Sequence, residues 1–143
     1  MPICSVVQAF GTSTERQITD AELRRRATEA GVRDLQIVHA DASLTLGACM
    51  NLGVDAAGGQ YIAKMDDDDW YGPDYLADQL AILRVTQADV VGKQASYLYV
   101  QSYDATLLRF GEREHRWTDF VLGPTLMAAR EVFEAHPFRD RTT

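Results

Sequence analysis

The sequence predicts an α/β domain, a parallel sheet covered by helices, and three observations carry that prediction. Short apolar runs alternate with helical patterns in the order strand, helix, strand, helix, strand, helix, before a strand-rich region. Such alternation joins parallel strands by crossover helices. Capping residues bound the helical patterns, and no repeat, low-complexity stretch or linker interrupts the 143 residues. One domain spanning 1–143, long enough to bury a real core, is expected.

The first strand is read over residues 3–10, an apolar run with Val6 and Val7 that Gly11 and a Thr/Ser cluster end. Thr19-Asp20-Ala21-Glu22 has the capping-box form and opens a helix over 20–30, with Leu23, Ala27 and Ala30 on one face and Gly31 as its stop. A second strand is expected at 35–39. Ser43 is placed to cap a helix carrying Leu44, Ala48, Leu52 and Ala56, which Gly58-Gly59 ends. Residues 60–65 then form a strand that runs straight into four aspartates. Pro73 opens a third helix at its favoured first position. Leu76, Leu80 and Leu83 line its apolar stripe, and Asp74 and Asp78 suit the dipole of its early turns. Strands at 88–91, 97–101 and 107–110 follow. A turn at Gly123-Pro124 then leads through 125–128 into a short helix at Arg130–Ala135.

Composition narrows the function. The hydrophobic fraction of 46% and charged fraction of 24% are those of a soluble globular protein. A net charge of −7 opposes nucleic-acid binding, and the one dense basic cluster, Arg24, Arg25 and Arg26, reads as a solvated helix face. No apolar run approaches the roughly 18 residues of a membrane span, and no secretory leader is apparent. Cys4 and Cys49 lack metal-ligand spacing and read as reduced, buried residues of a cytoplasmic protein. Peripheral membrane association through a partner stays open. His39, His115 and His136 show no spacing that pairs them.

Asp66, Asp67, Asp68 and Asp69 stand directly after a buried strand, at the strand end where open α/β sheets bind ligands. In extended backbone, alternate side chains share a side. Asp66 and Asp68 are therefore expected to converge, with Asp67 and Asp69 aimed elsewhere. Clustered carboxylates repel unless a cation offsets them, and oxygen-only ligands suit Mg²⁺ or Mn²⁺. A metal that holds a phosphorylated ligand is the expected chemistry. A calcium loop of the EF-hand type lacks its central Gly and distal Glu here.

The block Asn51-Leu52-Gly53, Ala56-Ala57-Gly58-Gly59-Gln60-Tyr61-Ile62, then Asp66-Asp67-Asp68-Asp69-Trp70-Tyr71-Gly72-Pro73-Asp74-Tyr75-Leu76 resembles the core of family-2 glycosyltransferases, with their N-x-G, A-x-G-x-Y-I, D-x-D-D and P-x-x-L pattern. Gly123-Pro124-Thr125-Leu126 through Arg130-Glu131-Val132-Phe133 is similar to the strand and helix flanking their acceptor site. The resemblance implies a GT-A-like, Rossmann-like nucleotide-binding sheet with helices on both faces. It implies transfer of a sugar, with inversion, from a nucleoside-diphosphate sugar to a saccharide or lipid-linked acceptor hydroxyl. Carried over by position, Asp66 and Asp68 form the DxD metal pair for Mn²⁺ or Mg²⁺, with Asp66 and Asp67 about the nucleotide. Asn51 either lies beside the nucleotide pocket or is a helix-surface or capping amide, and Lys64 either faces the donor phosphates or is a solvent-facing edge residue. Trp70 and Tyr71 either stack on a sugar or pack under the loop, and Gly92-Lys93 either admits ligand or forms a plain turn.

Compared with the family, residues 3–10 correspond to its second strand, and Gln8-Ala9-Phe10-Gly11-Thr12 lacks the acidic turn expected there. Family members continue past the segment resembling Pro137-Phe138-Arg139-Asp140 into an acidic motif that supplies the catalytic base. The domain is thus expected to be incomplete at both termini, with its base beyond Thr143 and a sheet edge left open to pairing. The alternative is a truncated, non-catalytic module that binds metal and nucleotide only. A nucleotidyltransferase is disfavoured, since no basic Gly-rich phosphate loop lies near the N-terminus.

Overall fold

The computed structural model describes residues 4–9 and 18–139. Strand β1 (Cys4–Val7) is followed by helices α1 (Asp20–Glu29) and α2 (Leu46–Ala56), strand β2 (Tyr61–Lys64), helix α3 (Tyr75–Thr86) and strand β3 (Val90–Val91). Strands β4 (Ser96–Val100) and β5 (Ala105–Arg109), a 3-10 turn at Gly123–Thr125, strand β6 (Met127–Ala129) and helix α4 (Arg130–Ala135) complete it. The α/β class and the helix at Arg130–Ala135 are as expected from sequence. Gly11 and Asp140, and the outer residues of the 3–10 run, lie outside the described residues.

The main sheet has the order β1-β2-β6-β3 and is mixed rather than parallel. β1 pairs parallel with β2, Ser5 opposite Ile62. β6 enters antiparallel between β2 and β3, with Ala128 opposite both Ile62 and Val90. Alternation of helix and strand specifies crossovers for the early elements only. A three-residue strand arriving after a hairpin carries no crossover to set its direction.

Side-chain parity explains the layers. Val7, Ile62 and Ala128 share one face, and Met50 and Val54 of α2 with Phe133 of α4 pack on it as the core. Tyr61, Ala63 and Met127 point to the other face. There α3 lies, with Arg84 over the Tyr61 ring at 5.6 Å and Leu83 buried. Helices therefore cover both faces. α2 sits close to β1 because residue 53 is glycine: a Cβ there would meet Val7 Cγ1 at 2.4 Å.

Several local expectations shift. The 35–39 segment keeps alternate half-burial at Leu35 and Ile37, yet it joins no ladder among the described residues; period-two burial reports a covered side, not a paired edge. Thr45 rather than Ser43 caps α2, accepting from Ala48 N–H at 3.2 Å. Ser43 instead bonds Asp41 through backbone and hydroxyl at 2.8 and 2.6 Å. Pro73 lies in a turn before α3, closed by Tyr75 N–H to Gly72 C=O at 3.1 Å, and Asp74 takes the cap position. β4 and β5 pair with each other as a separate antiparallel ribbon, Leu98 opposite Leu107. Cys4 and Cys49 are free and half-buried, and burial pushes the Cys4 thiol pKa up. No helix of the described residues is long and apolar enough to cross a membrane.

Helix α1 buries no residue; charge holds its surface together. Thr19 caps it by accepting from Glu22 N–H at 3.3 Å. The Glu22 carboxylate turns away from the cap to Arg25 at 2.7 Å and Arg26 at 2.6 Å. Hydrogen bonds from Arg25 and then Arg26 hold Glu22 down at about 2. Its folded value lies below the ordinary 4.5, so its contribution is complete above that pH and is lost as pH falls toward about 2. Protection factors of the α1 amides, corrected for intrinsic exchange, are expected to fall across that window, and to fall less in Glu22→Gln.

Candidate functional site

Strand β2 ends where its ladder runs out. Lys64 N–H donates to Leu126 C=O at 2.8 Å and Met65 N–H to Val7 C=O at 3.2 Å, and the chain then turns at Asp67 and Asp68. Because this segment is a turn, the alternation expected of extended backbone does not hold. One carboxylate oxygen each from Asp66, Asp68 and Asp69 lies within 4.8 Å of the others. Asp69, expected to aim away, joins the pair. Asp67 is exposed and stands apart, lining with Asp68, Asp69 and Trp70 an open depression of about 360 Å³.

Charge in this loop is strongly unbalanced. The Lys64 ammonium, only 11% exposed along its side chain, contacts Asp66 Oδ1 of the half-buried Asp66 carboxylate. The Asp69 carboxyl is raised above the usual carboxylate range, first by burial and then by the Asp68 and Asp66 charges, with Lys64 opposing. Three convergent carboxylates with no nitrogen or sulfur donor fit a hard divalent cation, whose oxygen ligands stand at about 2.0–2.6 Å. A cation would relieve the repulsion that the single lysine offsets in part.

The loop is tied from beneath. Asp66 N–H donates to the Tyr71 hydroxyl at 2.9 Å, and that hydroxyl donates to Pro124 C=O at 3.0 Å. Burial, chiefly, pushes the Tyr71 phenol up to about 12. Tyr75 and Gln79 of α3 donate to Thr125 C=O, both at 3.2 Å. The Thr125 hydroxyl donates to Leu122 C=O at 2.7 Å and accepts from Lys93 N–H at 2.8 Å. Tyr71 thus packs under the loop, its ring 5.0 Å from that of Tyr75, whereas Trp70 is fully exposed.

Other sequence candidates sit elsewhere. The Asn51 amide donates to Phe138 C=O at 3.0 Å and accepts from Phe138 N–H at 2.9 Å, so both its ends engage the segment after α4. Gly92 faces protein: a Cβ there would stand 2.8 Å from Val121 and 3.0 Å from Thr125 Oγ1. His39 contacts Asp20 at 2.9 Å, far along the chain from the acidic loop. Sequence reasoning missed the convergence of Asp69 on Asp66 and Asp68 and the double hydrogen bond of Tyr71. A polar aromatic five residues after Asp66, bounding a loop of that length, was the available signal.

A family model described as "Glycosyl transferase family 2" matches residues 17–131. The chain belongs to that family. The match runs from before α1 into α4 and takes in Asn51, Lys64, all four aspartates and Tyr71. The mixed sheet with helices on both faces is the GT-A-like arrangement that membership implies. A 35-residue stretch is 51% identical to "Putative glycosyltransferase EpsH" of Bacillus subtilis (strain 168). That stretch is 24% of this chain and spans about a tenth, 10%, of the length of that relative. In this family-2 chain, the aspartates at the end of β2 are the most chemically distinctive cluster among the described residues.

Proposed function

We propose that this chain is a single, metal-dependent glycosyltransferase domain that moves a sugar, with inversion, from a nucleoside-diphosphate sugar to an acceptor hydroxyl. The acceptor is a saccharide or a lipid-linked group. The observation that carries this reading is the convergence of Asp66, Asp68 and Asp69 oxygens within 4.8 Å at the end of β2 in a family-2 chain. Asp66 and Asp68 are the proposed ligands of Mg²⁺ or Mn²⁺, with Asp69 as a third. When bound, such an ion supplies charge stabilisation to a departing diphosphate, an effect of several kcal/mol in comparable enzymes.

The chain's own residues do the rest. Asp68 and Asp69 are exposed residues of the loop, and one carboxylate oxygen of each lies within 4.8 Å of Asp66. Lys64 places a second positive charge beside Asp66, suited to the donor phosphates. Asp67 lines the depression where a ribose or sugar hydroxyl has acceptors to meet. Asn51 acts at one remove, fixing α2 to Phe138.

Calorimetric titration with Mn²⁺ and a panel of nucleoside-diphosphate sugars tests the reading. Wild type is expected to bind a donor only with metal present, and Asp68→Ala to abolish that binding. Donor binding that ignores metal, or that survives Asp68→Ala, overturns the assignment. Turnover of bound donor separates a transferase from a module that only binds.

A further inference from the structure

We propose that Tyr71 is a positioning residue for the cation site, its hydroxyl pinning the Asp66 backbone, and with it the three carboxylates, to the Gly123–Thr125 turn. The inference rests on reading the loop as a cation site. Its geometric basis is the path from Asp66 N–H to the Tyr71 hydroxyl at 2.9 Å and on to Pro124 C=O at 3.0 Å. Both hydrogen-bonding roles of the phenol are used. Asp66 and Tyr71 thereby close the base of the loop, and residues 67–70 project from a clamped ring.

Among the described residues, nothing above the loop offers an equivalent hold. Residues 67–70 are exposed, Trp70 fully so. Three like charges within 4.8 Å push one another apart, so their convergence depends on a rigid support. Ligand groups act well only when a supporting shell locks them, and loss of such a partner commonly weakens metal affinity by about 10–100-fold. Tyr75 supplies the contrast. It lies four residues on, its ring against Tyr71, and its hydroxyl donates to Thr125 C=O at 3.2 Å and accepts from Gln79, not from the Asp66 amide.

The test compares Tyr71→Phe with Tyr75→Phe, each losing one hydroxyl anchored on the same turn. Mn²⁺ affinity is measured by calorimetry, and thermal melting in chelator monitors the fold. Tyr71→Phe is expected to weaken Mn²⁺ binding about tenfold, and Tyr75→Phe to stay within about twofold of wild type while melting comparably. Unchanged affinity in Tyr71→Phe, or an equal loss in Tyr75→Phe, overturns the inference alone. No Mn²⁺ binding by wild type overturns the cation reading together with the inference. Wild type provides a second measurement: the Asp66 amide is expected to exchange slowly, and more slowly with Mg²⁺. Fast exchange in both conditions overturns the tether.

Discussion

Replacing Arg130 by methionine is expected to cost about 3–5 kcal/mol, read as the shift in a urea unfolding curve. The guanidinium closes the C-terminal end of α2. It donates to Val54 C=O at 3.2 Å, to Gly59 C=O at 3.1 and 3.0 Å, and to Ala57 C=O. Those carbonyls belong to the end of α2 and the link to β2, where a helix leaves acceptors without intrahelical partners and where a positive charge meets the negative end of the dipole. Hydrogen bonds to charged groups contribute about 1.5–3 kcal/mol each. Arg130 is half-buried, so water recovers part of what is lost, and the sum is set well below four full bonds. Methionine keeps much of the stem's volume, which isolates the head group. Arg130→Lys is expected to restore less than half, because an ammonium cannot reach three carbonyls with a planar fork. A loss below about 1 kcal/mol for the methionine variant would show that the carbonyls are satisfied without the arginine.

Lys64→Met is expected to lower the stability of the metal-free protein and to enlarge the stabilisation that Mn²⁺ provides. Breaking a buried ion pair from one side costs about 3–5 kcal/mol. Here the Lys64 side chain is 11% exposed but the Asp66 side chain is 39% exposed, so solvent screening reduces the figure to about 1–3 kcal/mol. Removing the lysine also removes a competitor for Asp66. Each tenfold gain in Mn²⁺ affinity adds about 1.4 kcal/mol at saturation. Melting curves in chelator and in excess Mn²⁺ read both effects. An unchanged melt in chelator together with an unchanged Mn²⁺ increment would mean that Lys64 neither balances nor competes for this carboxylate.

The central part of this site was legible in the sequence because its chemistry is local. Four aspartates after the Tyr61–Lys64 strand announce a ligand loop wherever that strand ends, and the capping pattern at Thr19 and the short helix at Arg130–Ala135 depend on neighbours in the chain. What was not legible depends on distant partners. Asp69 joins Asp66 and Asp68 because the loop turns, and the turn is closed by Tyr71 on Pro124, 53 residues away. Met127–Ala129 is three residues long and holds no direction of its own; its antiparallel course follows from the gap between β2 and β3. The 35–39 run has the burial period of a strand and joins no ladder among the described residues.

The place of β6 in the sheet also bears on how the chain is made. β2 and β3, complete by residue 91, do not touch each other; the strand that joins them comes from residues 127–129. A nascent chain that has emerged as far as the acidic loop therefore carries the four aspartates after a strand with one edge unfilled. Pairings of such long sequence separation close slowly, and strands waiting for a partner are open to wrong ones. The arrival of β6, with Arg130 directly behind it to seal α2, is the step that commits the sheet. Synthesis through α4, rather than through the aspartates, completes the sheet from which the acidic loop projects.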